Sequence, residues 1–162
     1  METRVVIGCD IGGVVRRGDD PVPGAIEGLK SLLRTHDLLF ISKAGQEHRK
    51  KTLAFLKEYE LDTIPIIFCD TDKEKAGIAA KNRVEVMIDD KHSILNQFPK
   101  DNLKIWLCDD QKQIEGAIKY NHLEFVKLAR NWNEVVNIII PPPVDEAAVE
   151  ENDDDGLEND DS

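Results

Sequence analysis

The sequence predicts an α/β protein built on one open parallel sheet of about five strands with helices on both faces. Short apolar runs alternate with longer amphipathic stretches along the whole chain. Each run has the length of a buried strand and ends near a small or acidic residue. The connections between runs are long enough for a helix, which parallel neighbours require and hairpins do not. At 162 residues the chain holds one domain with a real core and is too short for two comfortable ones.

The first run, "RVVIGC", reads as the opening strand. It is followed by "PGAIEGLKSLLRTH", where Ile26, Leu29, Leu32 and Leu33 share one face of a helix. After the second strand, "DLLFIS", the stretch "QEHRKKTLAFLKEYEL" sets Leu53, Leu56 and Tyr59 beneath a charged outer surface. "IPIIFC", "VEVMID" and "LKIWLC" supply three further strands. "EFVKLARNWNEVVNIII" reads as one or two helical segments packed on the sheet.

The domain is expected over residues 1–140, and the segment 141–162 as a disordered acidic tail. After "PPP" the sequence "VDEAAVEENDDDGLENDDS" is polar, like-charged and without aromatics, a composition that cannot build a core. A solubilising role is its simplest reading, and recruitment of basic partners the other. Ten of the eleven net negative charges belong to this tail, which holds ten acids and no Lys or Arg. The remainder has 22 acids against 21 bases and is nearly neutral. No basic patch interleaved with aromatics points to nucleic acid, and no apolar run approaches the roughly 18 residues of a membrane span. The three cysteines have neither metal-ligand spacing nor the even number of a disulfide framework. A reducing compartment is expected, cytoplasmic or nuclear.

Parallel sheets of this kind bind ligands beyond the carboxyl ends of their strands. Here those ends read Asp10, Ser42, Asp70, Asp89 with Asp90, and Asp109 with Asp110. Asp70, Asp72, Asp109 and Asp110 are read as caps or turn residues.

"VVIGCDIGGVV" closing a strand, "LLFIS" closing the next, Lys75 opening a helix and "VEVMIDD" after it resemble, in order and spacing over residues 4–110, the four motifs of the haloacid dehalogenase-like (HAD-like) superfamily. The resemblance implies a three-layer Rossmann-like fold. It also implies phosphoryl transfer with Mg2+, in which Asp10 is the nucleophile and forms an aspartyl-phosphate. Ser42 and Lys75 would hold the phosphoryl oxygens. Asp10, the backbone carbonyl of Gly12, and Asp89 or Asp90 would hold the metal. No insertion is large enough for a cap domain, so the site is expected to be open, to a phosphorylated small molecule or a phosphoprotein. "DIGG" is also similar to the first phosphate loop of sugar kinases, but that fold needs a much longer chain and a hairpin after its first strand.

Gly12 breaks the pattern. Phosphatases of the superfamily carry a second Asp there, which protonates the leaving oxygen and later activates water. Losing a positioned acid or base costs ~10²–10⁴ in rate, and an activated substrate such as an acyl phosphate suffers least. Two readings follow: a hydrolase of reduced activity, or an inactive pseudo-phosphatase that binds phosphate or a phosphorylated partner. His48 and His92 are the titratable candidates to stand in for the missing acid, although both read as surface residues. Lys43 either adds charge to the pocket or faces solvent, and Arg16, Arg17, Asp19 and Asp20 read as a solvated turn, with contact to substrate as the alternative.

Overall fold

The computed structural model describes residues 4–144, so the acidic tail expected from residue 141 lies almost wholly outside the described residues. In chain order the elements are β1 (Val6–Cys9), β2 (Arg16–Arg17), β3 (Asp20–Pro21), α1 (Ala25–Leu32), β4 (Asp37–Lys43) and α2 (Gln46–Glu58). Then come β5 (Ile66–Cys69), a 3₁₀ turn over Asp72–Glu74, α3 (Lys75–Lys81), β6 (Val84–Asp89), α4 (His92–Leu95), β7 (Leu103–Leu107), α5 (Gln111–Lys119), β8 (Lys127–Ala129) and α6 (Trp132–Ile139).

Six strands form one sheet in the order β5-β4-β1-β6-β7-β8, and every pairing is parallel. The fold is therefore the expected three-layer α/β arrangement, with six strands in place of five. The extra strand comes from "EFVKLARNWNEVVNIII", whose first part extends as β8 and whose second part forms α6. Asn131 separates them, its side chain accepting the backbone N–H of Glu134 and so capping α6.

Side-chain alternation divides the core into two layers. Ile7, Phe40, Ile88 and Ile105 face α1, α2 and α6, whereas Ile41, Met87 and Trp106 face α3, α4 and α5. Helix α2 is rotated from the expected phase: Thr52, Phe55 and Leu56 are buried and Leu53 is exposed. The turn expected between β1 and α1 contains a short antiparallel hairpin, β2 with β3, which forms a small flap. β1 pairs in parallel with β4 and β6 on its two sides, so no hairpin adjoins it in the sheet.

This connectivity fixes where a ligand can sit. From β1 the chain moves to β4 and β5 on one side, then returns to β6 and proceeds to β7 and β8 on the other. The loops after β1 and β6 thus diverge and leave a crevice between two adjacent strands. No described helix is long and apolar enough to cross a membrane. The three cysteines are free, Cys9 and Cys69 being buried.

Candidate functional site

Asp10 and Asp89 are carried to the crevice by neighbouring strands. Asp10 continues the ladder past β1, its N–H donating to the Ile88 carbonyl at 3.0 Å. Asp89 ends β6, and its Oδ1 accepts the Lys91 N–H at 3.0 Å. Asp90 follows, its carbonyl held by the Trp106 indole N–H at 2.9 Å. Carboxylate oxygens of Asp10, Asp89 and Asp90 lie within 4.8 Å of one another.

Lys75, the first residue of α3, reaches into this group. Its Nζ donates to Asp10 Oδ1 at 3.1 Å and to Asp89 Oδ2 at 3.2 Å, and Asp72 stands 3.8 Å away. Lys75 is 2% exposed and Asp89 is wholly buried. Thr71 and Glu74 form a reciprocal capping box that fixes the turn leading into α3.

Three acids against one buried cation leave the group with excess negative charge. Burial pushes Asp10 up to about 6, with Lys75 opposing and Asp90 reinforcing the rise. Burial, followed by the Asp10 charge, pushes Asp89 up to about 8. Burial works against the Lys75 charge, but Asp10 and Asp89 together outweigh it and hold the ammonium above its ordinary range. Asp90 Oδ1 is buried without a hydrogen-bond partner among the described residues. An orphaned carboxylate oxygen beside two further carboxylates suits a hard, oxygen-seeking cation.

The loop after Asp10 turns sharply. The Ile11 carbonyl accepts from the N–H groups of Val14, Val15 and Arg16 at 3.2, 2.8 and 3.1 Å. Gly13 adopts φ 78° against the Asp90 carboxylate, an approach too close for a side chain. Gly12 is exposed, and a Cβ built there meets nothing within 4 Å.

Ser42 comes from β4, on the other side of β1, and makes no hydrogen bond to the acids or to Lys75. It shares with Gly12 the wall of an open cleft of about 380 Å³ between the flap and α2. Arg16, Arg17 and Lys43 supply the charged part of that wall, His48 also lines it, and Asp19 is not part of it. Of the residues the sequence singles out, the acids and the lysine meet here and Ser42 stands apart from them, whereas the two arginines, read there chiefly as a solvated turn, line the cleft. The signal available was a pair of consecutive cations shortly after the glycine turn.

His92 is turned away, packed against Trp106 and His122 at ring separations of 4.9 Å, whereas His48 faces the cleft. Of the expected cap residues, Asp110 accepts the N–H groups of Lys112 and Gln113 at the start of α5. Asp70 pairs with Arg49 at 3.1 Å. Asp72 opens the 3₁₀ turn and also approaches both Lys75 and Lys91.

Comparison with protein-family models and with curated proteins gives no match.

Proposed function

We propose that the chain is a capless haloacid dehalogenase-like hydrolase acting on a phosphate ester or acyl phosphate. What carries the reading is the meeting of residues 10, 75, 89 and 90 at one crevice, the buried Lys75 ammonium lying between Asp10 and Asp89. A structural ion pair needs one carboxylate per cation. Three carboxylates with an orphaned oxygen are costly to the fold and sensible for a site that binds a cation.

In this reading the Asp10 carboxylate attacks phosphorus, the bond to the leaving oxygen breaks, and an acyl phosphate forms on Asp10. Water then attacks that phosphorus, releasing inorganic phosphate and restoring the carboxylate. Ser42 and the Lys75 ammonium hold the phosphoryl oxygens. Asp10, the Gly12 carbonyl, Asp89 and Asp90 would hold Mg2+, which supplies charge neutralisation on the transferring group. With glycine at position 12 that residue gives the leaving oxygen no proton, so acyl phosphates are favoured over alkyl esters.

The missing acid side chain at position 12 also supports a second reading, a pocket that binds phosphate or a phosphorylated partner without turnover. One experiment separates the two. Hydrolysis of acetyl phosphate and p-nitrophenyl phosphate with Mg2+ is compared for the natural protein, Gly12→Asp and Asp10→Asn. The expected result is turnover of acetyl phosphate, its loss in Asp10→Asn, and a gain of about tenfold or more on the aryl ester in Gly12→Asp, where the new carboxylate has room. Silence of both the natural protein and Gly12→Asp on both substrates overturns the hydrolase and leaves the binder.

A further inference from the structure

We infer that the cleft between the flap and α2 is a second anion subsite, taking a phosphate or carboxylate that the substrate carries beyond the phosphoryl group facing Asp10. The inference rests on the phosphate reading of the Asp10 site and adds a substrate class to it: small molecules with two anionic groups.

The wall of the cleft is one-signed. Arg16, Arg17 and Lys43 contribute positive charge to it, and none of its residues is acidic. Among the described residues, Arg16, Arg17 and Lys43 form no ion pair.

Arg16 is the most informative of these cations. It is buried, and its partners are neutral: the Gly18 carbonyl at 2.6 Å and the Thr52 hydroxyl at 3.0 Å. A guanidinium has five N–H donors in a fixed fork, and these two acceptors orient it without cancelling its charge. A buried cation with no carboxylate within 4.0 Å among the described residues is suited to one supplied by a ligand.

Placement supplies the rest. Gly12 and Ser42 belong both to the cleft wall and to the strand ends beside Asp10, so a molecule seated there extends into the cleft. The two sides have opposite charge, three acids around Lys75 on one, arginines and Lys43 on the other. The start of α2 adds to the basic side, because Gly45 has no side chain to cap its first N–H groups. A lone phosphoryl group would engage Ser42 and Lys75 and leave Arg16, Arg17 and Lys43 without a counter-charge. A volume of about 380 Å³ matches a small organic molecule.

The test is calorimetric titration of the full chain in Mg2+ with ethanediol, propanediol and butanediol bisphosphates, each against its monophosphate. The same series is run on an Arg17→Ser, Lys43→Ser variant, whose substituted positions are exposed and whose melting temperature serves as the fold control. At least one bisphosphate is expected to bind about tenfold more tightly than its monophosphate. The variant is expected to abolish that advantage and leave monophosphate affinity unchanged. Equal affinity of both members throughout the series overturns the subsite and leaves the phosphate reading intact. Equal weakening of both members in the variant also overturns it, because the cations then serve the reacting phosphate. Absence of binding by any member overturns the phosphate reading and the subsite with it.

Discussion

Gly13 is the residue least open to replacement. At φ 78° it combines a left-handed backbone with contact to the Asp90 carboxylate, and both features disfavour any side chain. Gly13→Ala is expected to cost about 1–3 kcal/mol of stability and, on the proposed reading, to abolish Mg2+ binding by displacing Asp90, readable by denaturant titration and calorimetry. The glycine pair was visible in the sequence, but only Gly12 drew a functional reading, because the collision at Gly13 comes from a distant strand end. Lys104 illustrates the same limit. It sits in an apolar strand and is 2% exposed, its Nζ making one long bond of 3.4 Å to the Phe98 carbonyl. Burial, opposed by Asp101 and reinforced by Lys100, depresses its ammonium below the usual 10.5. A lysine depressed in the folded state binds fewer protons there than in the unfolded chain, so stability rises as pH climbs through the folded value towards the unfolded one. Lys104→Met is expected to be more stable by about 1 kcal/mol at neutral pH. The gap should shrink as pH is raised towards about 10, which paired urea titrations would detect.

Among the helices and strands, periodicity located every member of the main sheet except β8. That strand has three residues, too few to display a period of two, and in sequence it runs into the apolar pattern of α6. A local signal was nonetheless present, since Asn131 followed three residues later by Glu134 marks a helix start. The phase of α2 was misread for a different reason. Thr52 is buried and bonded to Arg16 of the flap, a contact that hydrophobicity cannot announce. The packing of α1 on α6 gives a sharper test. A Cβ on Gly28 would come within 2.6 Å of the Trp132 ring, and that indole donates to the Val14 carbonyl at 2.7 Å, next to the glycine turn. Alanine gains about 1 kcal/mol of helix propensity at such a position, against about 1–3 kcal/mol for overpacking. Gly28→Ala is therefore expected to lose roughly 1 kcal/mol net, read as a lower melting temperature.

Across the protein as one body, the topology concentrates charge of one sign at one point. Because β1 and β6 are neighbours in the sheet, the acids at their carboxyl ends meet, and only α3 delivers a buried cation between them. The order of acids and lysine along the chain, Asp90 included, was legible in the sequence; that one Asp90 oxygen would be left without a partner was not. Such an arrangement weakens the metal-free protein, and the repulsion is relieved most cheaply at Asp90, which makes no ion pair among the described residues. Asp90→Asn is therefore expected to raise the stability of the metal-free protein by about 1 kcal/mol. On the proposed reading, in which Asp90 helps to hold Mg2+, the same change should weaken Mg2+ binding by at least about tenfold, as loss of a carboxylate ligand does. Thermal unfolding in EDTA and in millimolar Mg2+ measures both effects: the variant should melt higher than the natural protein in EDTA and respond less to the metal. A variant that melts lower in EDTA and responds normally to Mg2+ would mean that Asp90 supports the fold and does not face the cation.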